Sequence, residues 1–391
     1  MIFFQNLITN MTITEQKIIP NGWHEFKLGE GFILSQGKYL TKEEMADTGY
    51  PVYGANGIIG HSKDFMYEDP TVLVSCRGAN CGFVHITKPK SWVSNNSIAV
   101  LPKTNQVDPF FLYYKFYHDG FNGFITGSAQ PQIVVNVLAR KEIVIPPINE
   151  QKKIAEILSS VDKEIEKIDE IITQTEKLKK GLIQDLFTKN NRIIKLKLKD
   201  ISEVTSSKRV MVSDYVDDGI PFYRSTEIIK KSKNIPLTNL LYISTEKFNF
   251  FKDRFGAPEN GDILITAVGT IGDVYMVQNE VFYFKDGNTI WVRKIKDSVL
   301  PEYLRMILGS NFYREKLNNI AGGSSQKALT IQKLENVEVP VPSISEQKKL
   351  IEVISSVENK TKVYTQTKNN LNQLKKGLVR DLLSGNKRVK I

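Results

Sequence analysis

The chain repeats one long phrase. Pro146-Pro147-Ile148-Asn149-Glu150-Gln151-Lys152-Lys153, running on to Ser159-Ser160-Val161, returns as Pro342-Ser343-Ile344-Ser345-Glu346-Gln347-Lys348-Lys349 and Ser355-Ser356-Val357. Leu178-Lys179-Lys180-Gly181-Leu182, with Asp185-Leu186 after it, returns as Leu374-Lys375-Lys376-Gly377-Leu378 with Asp381-Leu382. Both matches hold one offset without a gap. A constant offset means duplication, and duplication predicts a pseudo-two-fold molecule built from paired domains.

The repeated phrases are helical in character. Ile154, Ile157, Leu158, Val161, Ile165, Ile168 and Ile172 recur at spacings of three and four, with Lys and Glu on the other face. The stripe skips at Thr175 and resumes at Leu178, Leu182 and Leu186. Pro146-Pro147 closes what precedes, and Asn149 is the expected N-cap. The second stripe runs through Leu350, Val353, Ile354, Val357, Tyr364, Leu371, Leu374, Leu378 and Leu382, with Thr361 and Lys368 interrupting it. About 38 residues at 1.5 Å each give a rod of about 57 Å. Neither stripe is buried alone, so the two rods are expected to pack on each other as an antiparallel coiled coil. Gly181 and Gly377 share one slot late in each helix. A glycine there costs about 1 kcal/mol against alanine, so its recurrence predicts close backbone approach.

Outside the rods the texture changes. Thr71-Val72-Leu73-Val74-Ser75, Gly82-Phe83-Val84-His85-Ile86 and Ser97-Ile98-Ala99-Val100-Leu101 are short apolar runs bounded by turn residues, and read as strands. Asp108-Pro109-Phe110 opens a helix. Gly219–Tyr223 echoes Gly49–Tyr53, and Gly261–Thr266 echoes Pro70–Ser75. Gly269–Tyr275 echoes Gly78–Val84. The fold class is therefore mixed α/β, with two globular domains in tandem separated by two long helices. The boundaries are an N-terminal extension over 1–20, a first domain over 21–147 and a first helix over 148–190. A second domain follows over 191–342, then a second helix and basic tail over 343–391. Met11 is a possible alternative start within the extension.

Recognisable chemistry is missing. The chain has no Asn/Asp-Pro-Pro-Tyr/Phe motif of amino-methyltransferases, since Ile145-Pro146-Pro147-Ile148 lacks both flanking residues. Gly31 to Tyr39 lacks the spacing and the Ser/Thr of a phosphate loop, and no Pro-Asp…Glu-x-Lys nuclease cluster is found. All four histidines, His24, His61, His85 and His118, lie in the first half, which excludes a catalytic histidine common to both copies. Cys76 and Cys81, spaced C-x4-C in one half only, suggest neither a zinc site nor a disulfide framework. They read as reduced cytoplasmic thiols. No apolar run is long enough to cross a membrane. Glu164, Glu166, Asp169 and Glu170 belong to a solvated helix face. The net charge of +10 and a pI near 9.2 favour a polyanionic partner, nucleic acid first.

Two variable domains, each followed by a helix opening Glu-Gln-Lys-Lys and closing Leu-Lys-Lys-Gly-Leu, resemble the specificity subunit of type I restriction-modification systems. The resemblance runs from about Trp23 to the end. It implies a non-catalytic chain whose two target recognition domains each read half of a bipartite double-stranded DNA sequence, with the coiled coil as spacer. It implies two modification subunits that bind S-adenosylmethionine and methylate adenine. Two restriction subunits using ATP and Mg are also implied, with no cofactor on this chain. Two equivalent surfaces facing successive major grooves fit a pseudo-two-fold reader. An adaptor that scaffolds protein partners without reading DNA is the alternative, and an enzyme of unrecognised type a third.

Candidate DNA contacts are polar residues on loops beside turn glycines. In the first domain these are Tyr53, Asn56, Arg77, Asn80, Gln130 and Gln132. In the second they are Lys208, Arg209, Arg224, Thr226, Gln326 and Lys327. Arg reads guanine bidentately, and Asn or Gln reads adenine. Any one of them could instead bind a phosphate or stand as a solvated loop residue. Gly127-Ser128-Ala129-Gln130 recurs as Gly323-Ser324-Ser325-Gln326. Sharing across domains with different targets favours a structural turn or backbone contact over base readout.

Overall fold

A computed structural model describes residues 19–127, 130–188, 193–322 and 327–391, with the side chains of 186–188 outside the description. The chain divides into two units. One holds the residues up to Asp169 together with Gln366–Ile391, the other Glu170–Thr365.

In the first unit, Phe32–Gln36, Ser97–Pro102, Val72–Ser75 and Val84–Ile86 form an antiparallel sheet in that order. Val72–Ser75 is buried along its whole length. Both faces are covered, which is why its sequence is a continuous apolar run rather than an alternating one. A second sheet joins the hairpin of Tyr50–Gly54 and Gly57–Ser62 to Trp92–Val93, which runs parallel to the first of these strands. Asp108 caps the helix Pro109–Asp119 by accepting from the Phe111 amide at 2.8 Å.

The second unit repeats this plan. Glu203–Thr205, Thr289–Arg293, Ile263–Thr266 and Val274–Met276 make the antiparallel sheet. Ile220–Tyr223 pairs in parallel with Tyr283–Phe284, as Tyr50–Gly54 does with Trp92–Val93. Where the first unit turns directly through a hairpin, the second inserts the helix Ser225–Ser232 and strand Leu241–Ile243, followed by the helix Thr245–Phe255.

The expected long helices are Ile148–Thr188 and Ile344–Leu383. The first begins ahead of Asn149. The Pro147 carbonyl accepts from the Glu150 and Gln151 amides, so Asn149 lies inside the first turn rather than capping it. In the second copy Ser343 holds a reciprocal cap with Glu346, its amide donating to Oε2 at 3.0 Å.

Each unit pairs a piece of one helix with a piece of the other. In the first unit Asp162 meets Lys375 and Asp169 meets Lys368, each at 2.6 Å. Seven residues up one helix is seven down the other, so the pair is antiparallel. Lys368, which interrupts the apolar stripe, is thereby matched to an acid. In the second unit Lys179 meets Glu358 at 2.8 Å, and Ile183 shares a buried cluster with Ile354. Lys179 and Lys375 hold the same slot of the repeat, as do Glu358 and Asp162.

Two sequence expectations fail here. Leu178 and Leu374, placed on the buried stripes, are 55% and 51% exposed. The lysine that follows each turns toward an acid on the other helix, and the leucine lies about 100° away from it. Gly181 and Gly377 do not mark close approach within the chain, because a Cβ on either would meet nothing within 4 Å. Val353, also placed on a stripe, is about half exposed.

Candidate nucleic-acid interface

The repeated glutamine in the first turn of each long helix holds the preceding globular domain to that helix. Gln151 is buried. Its Oε1 accepts from the Asp108 amide at 2.9 Å, and its Nε2 donates to the Gln106 and Pro146 carbonyls at 2.9 and 2.8 Å. Gln347 makes the same set with Leu300, Ser298 and Pro342 at 2.8, 2.9 and 2.9 Å. Tyr114 adds a bond from its hydroxyl to Asp162 at 2.7 Å. Burial and that carboxylate both push the Tyr114 hydroxyl well above its ordinary range.

In the first domain, sequence-distant loops converge. Ser75 Oγ donates to the Ala55 carbonyl at 2.8 Å, and His85 Nε2 lies 3.1 Å from the same oxygen. The Asn80 side-chain Nδ2 donates to Asn56 Oδ1. These bonds tie the hairpin tip to the loop after Val72–Ser75. Gly78 and Gly82 allow that loop to turn sharply, with φ of +80° and +89°. The segment ending at Ile133 then pairs onto the loop. Ile133 N donates to Cys76 O at 3.0 Å, Gly78 N donates to Pro131 O at 3.1 Å, and Arg77 bridges Gln132. Asn56, Arg77, Asn80 and Gln132 thus belong to one connected cluster of loops. Arg77, Asn56 and Gln132 are exposed there, and Asn80 is half-buried.

Two first-domain candidates lie differently. Tyr53 is buried in the core, and its hydroxyl accepts from the Lys88 amide at 3.0 Å, so it supports the hairpin from inside. The Gln130 side chain is exposed, but its carbonyl sits 2.5 Å from where a Cβ on Gly127 would be, and Gly127 has φ +85°. The glycine is required by the turn, as its recurrence suggested. Sequence reasoning passed over Phe83, Ile58 and Ile59, which stand exposed on the loop and on the hairpin. Two adjacent isoleucines beside a glycine turn were the available signal, since strand alternation would hide one of them. Exposed apolar side chains of this kind can contact thymine methyl groups.

The second domain keeps the backbone frame and changes the side chains. Leu329 N donates to Ala267 O at 2.8 Å, as Ile133 does to Cys76, and Val268 bridges Ala328 as Arg77 bridges Gln132. Lys327 is exposed beside that bridge; Gln326 lies outside the described residues. Lys208 and Arg209 flank the strand Tyr283–Phe284. The Lys208 amide donates to the Tyr283 hydroxyl at 3.0 Å, and its Nζ lies 4.9 Å from the centre of the Phe255 ring. Arg209 is mostly exposed and pairs with Asp286 at 3.2 Å. Thr226 is exposed in the first turn of Ser225–Ser232. Arg224 is committed elsewhere: Nε and Nη2 fork onto Glu227 at 3.0 and 2.8 Å. Burial works to raise the Glu227 carboxyl, and the Arg224 bonds outweigh it and hold it low. Reading guanine with Arg224 would require releasing that fork.

The family model for the type I restriction modification DNA specificity domain matches residues 20–177 and 193–373. The chain belongs to this family. It is similar to a putative type I restriction enzyme specificity subunit of Haemophilus influenzae, 27% identical over 81% of this chain and 82% of the relative. A type I specificity subunit of Methanocaldococcus jannaschii is 23% identical over 95% and 94%. The crystal structure of the S subunit of a type I system from M. genitalium shares the fold, with a TM-score of 0.64 at 18% identity over 96% of this chain and all of that one. The chain is a DNA sequence-specificity subunit, and the adaptor alternative is not favoured. No helix among the described residues is long and apolar enough to cross a membrane.

Proposed function

We propose that each recognition domain of this specificity subunit reads one half of a bipartite, gapped DNA target, with the helix pair setting the gap. One observation carries this reading. The same backbone bridge presents Arg77 and Gln132 in the first domain and Val268 and Ala328 in the second. A shared frame with different chemistry at matching positions suits two different half-sites. Phosphate contacts from the basic surface supply affinity, and base-edge contacts supply sequence.

The chain itself neither methylates nor cleaves. Two modification subunits bind S-adenosylmethionine and methylate adenine, and two restriction subunits use ATP and Mg, all in the cytoplasm. The exposed Leu178 and Leu374, each three residues before an open helical glycine, supply two matching seats for two copies of one partner, the modification subunit. A glycine with no neighbour of its own, placed twice in one slot, suits close approach by that partner.

The test is methylation mapping of host DNA, with this chain co-expressed beside its modification subunit. Adenine methylation at one gapped, two-part motif is expected. Replacing residues 21–145 with those of a relative should change only one half of that motif. A contiguous motif, or a change in both halves, overturns the reading.

A further inference from the structure

The tail after the second long helix has a defined seat on the first unit. Gly385 turns with φ +77°, and a Cβ there would come within 2.3 Å of Pro20 Cγ. Val389 packs against the cluster containing Trp23, Ile154 and Leu382. Buried Lys115, on the helix Pro109–Asp119, donates to the Leu383 carbonyl at 2.9 Å and so satisfies one carbonyl at the helix end.

Arg388 is the centre of this arrangement. Its Nε and Nη2 reach Glu150 Oε1 and Oε2 at 2.6 and 2.7 Å. Its Nη1 donates to the Asn21 carbonyl at 2.8 Å, and the guanidinium lies 5.9 Å from the centre of the Trp23 ring. Glu150 is only 1% exposed, so Arg388 pairs with a carboxylate removed from water. The neighbouring Gln151 is the residue that grips Gln106 and Asp108. One guanidinium therefore joins the chain entering the first domain, the first turn of the first long helix and the tail of the second. The second copy departs from this: Glu346 is exposed and bonds Ser343. The tail sequence Asn386-Lys387-Arg388-Val389 has a counterpart in Asn190-Asn191-Arg192-Ile193, which falls largely outside the described residues.

We infer that Arg388 is a positioning residue for the first recognition domain: it fixes the Glu150–Gln151 turn and thereby the seating of that domain on its helix. Its consequence for DNA rests on the proposed two-half reading. Its structural basis does not, and the two are separable by experiment.

The first measurement is amide exchange of the full chain in complex with its modification subunit. Arg388→Ala should raise exchange over residues 106–111, where the Gln151 grip lies, by about tenfold or more, a loosening of about 1.4 kcal/mol or more. Unchanged exchange there overturns the inference whatever the DNA target proves to be. The second measurement compares methylation at the full target with sites carrying one wrong base pair in either half. Arg388→Ala should cut discrimination in the half read by residues 21–145, again by about tenfold, and leave the other half unchanged. Arg388→Lys keeps the charge, loses the fork and should behave similarly if the alanine variant fails to assemble. Adding Glu150→Gln to Arg388→Ala removes the unpaired buried charge and should restore part of the lost protection. A uniform loss of methylation across both halves, with no change in discrimination, would mean a merely structural contact and sink the positioning role.

Discussion

Gln151 and Gln347 make the same bonds to three backbone groups in two domains that otherwise differ widely. Leaving buried polar groups unpaired costs about 1–3 kcal/mol each. Gln151→Ala and Gln347→Ala should therefore each lower stability by about 3 kcal/mol or more, read as a shift in denaturant midpoint. A shift below about 1 kcal/mol would mean water replaces the amide without loss. The glutamate beside each glutamine behaves differently, since Glu150 is buried on Arg388 and Glu346 is an exposed cap. Identical sequence marked both as shared frame, but only the fold separates their roles, because Arg388 comes from the far end of the chain. Asp262 offers a pH test. Burial holds its carboxyl above the ordinary 3.8, although Trp291 Nε1 donates to it at 2.8 Å. The folded state thus binds more protons than the unfolded one in the acid range, and this group's contribution weakens as pH rises through the raised value. Asp262→Asn keeps an acceptor for Trp291 and should flatten that slope. It should change stability at pH 7 by no more than about 1 kcal/mol. An unaltered slope in acid titration of the unfolding midpoint would show that Asp262 is not its source.

The long helices were legible as elements because a spacing of three and four over so many residues admits little else. Their detailed facing was not. Leu178 looks like a stripe residue until Lys179 is seen turned toward Glu358, and a one-residue shift on a helix rotates every assignment by about 100°. The same facing leaves Gly181 and Gly377 open. Replacing either with alanine fills no occupied space and removes the glycine penalty, so each change should stabilise the free subunit by up to about 1 kcal/mol. If these slots seat the modification subunits, the same changes should weaken assembly. Thermal unfolding of the isolated chain and titration with the partner subunit separate the two effects. A variant that is both more stable and undiminished in assembly would remove the seats from consideration while leaving the rest of the reading intact.

At the scale of the molecule, duplication predicted two domains on two rods. Single-residue patterns could not say which loops meet. Asn56 finds Asn80, and Arg77 finds Gln132, across stretches of chain whose only common signal is a turn glycine. Divergence hid the matching positions in the second domain, where Val268 and Ala328 retain the bridge without the polarity. Base readout and phosphate binding can still be told apart by how each responds to salt. The chain carries a net charge of +10, and each phosphate neutralised contributes about 0.9 to the slope of log affinity against log salt. Six such contacts would lose on the order of 10³-fold between 50 and 200 mM salt. Lys327→Gln, at an exposed cation beside the second bridge, should lower that slope by about one and weaken all sequences alike. Asn80→Ala should leave the slope in place and relax selection at one base pair by about 1–3 kcal/mol. Measured in the assembled complex, two variants with the same salt slope and the same sequence preference would mean that neither residue reaches DNA. The opposite pattern, with Lys327 changing sequence preference and Asn80 changing only the slope, would exchange their roles.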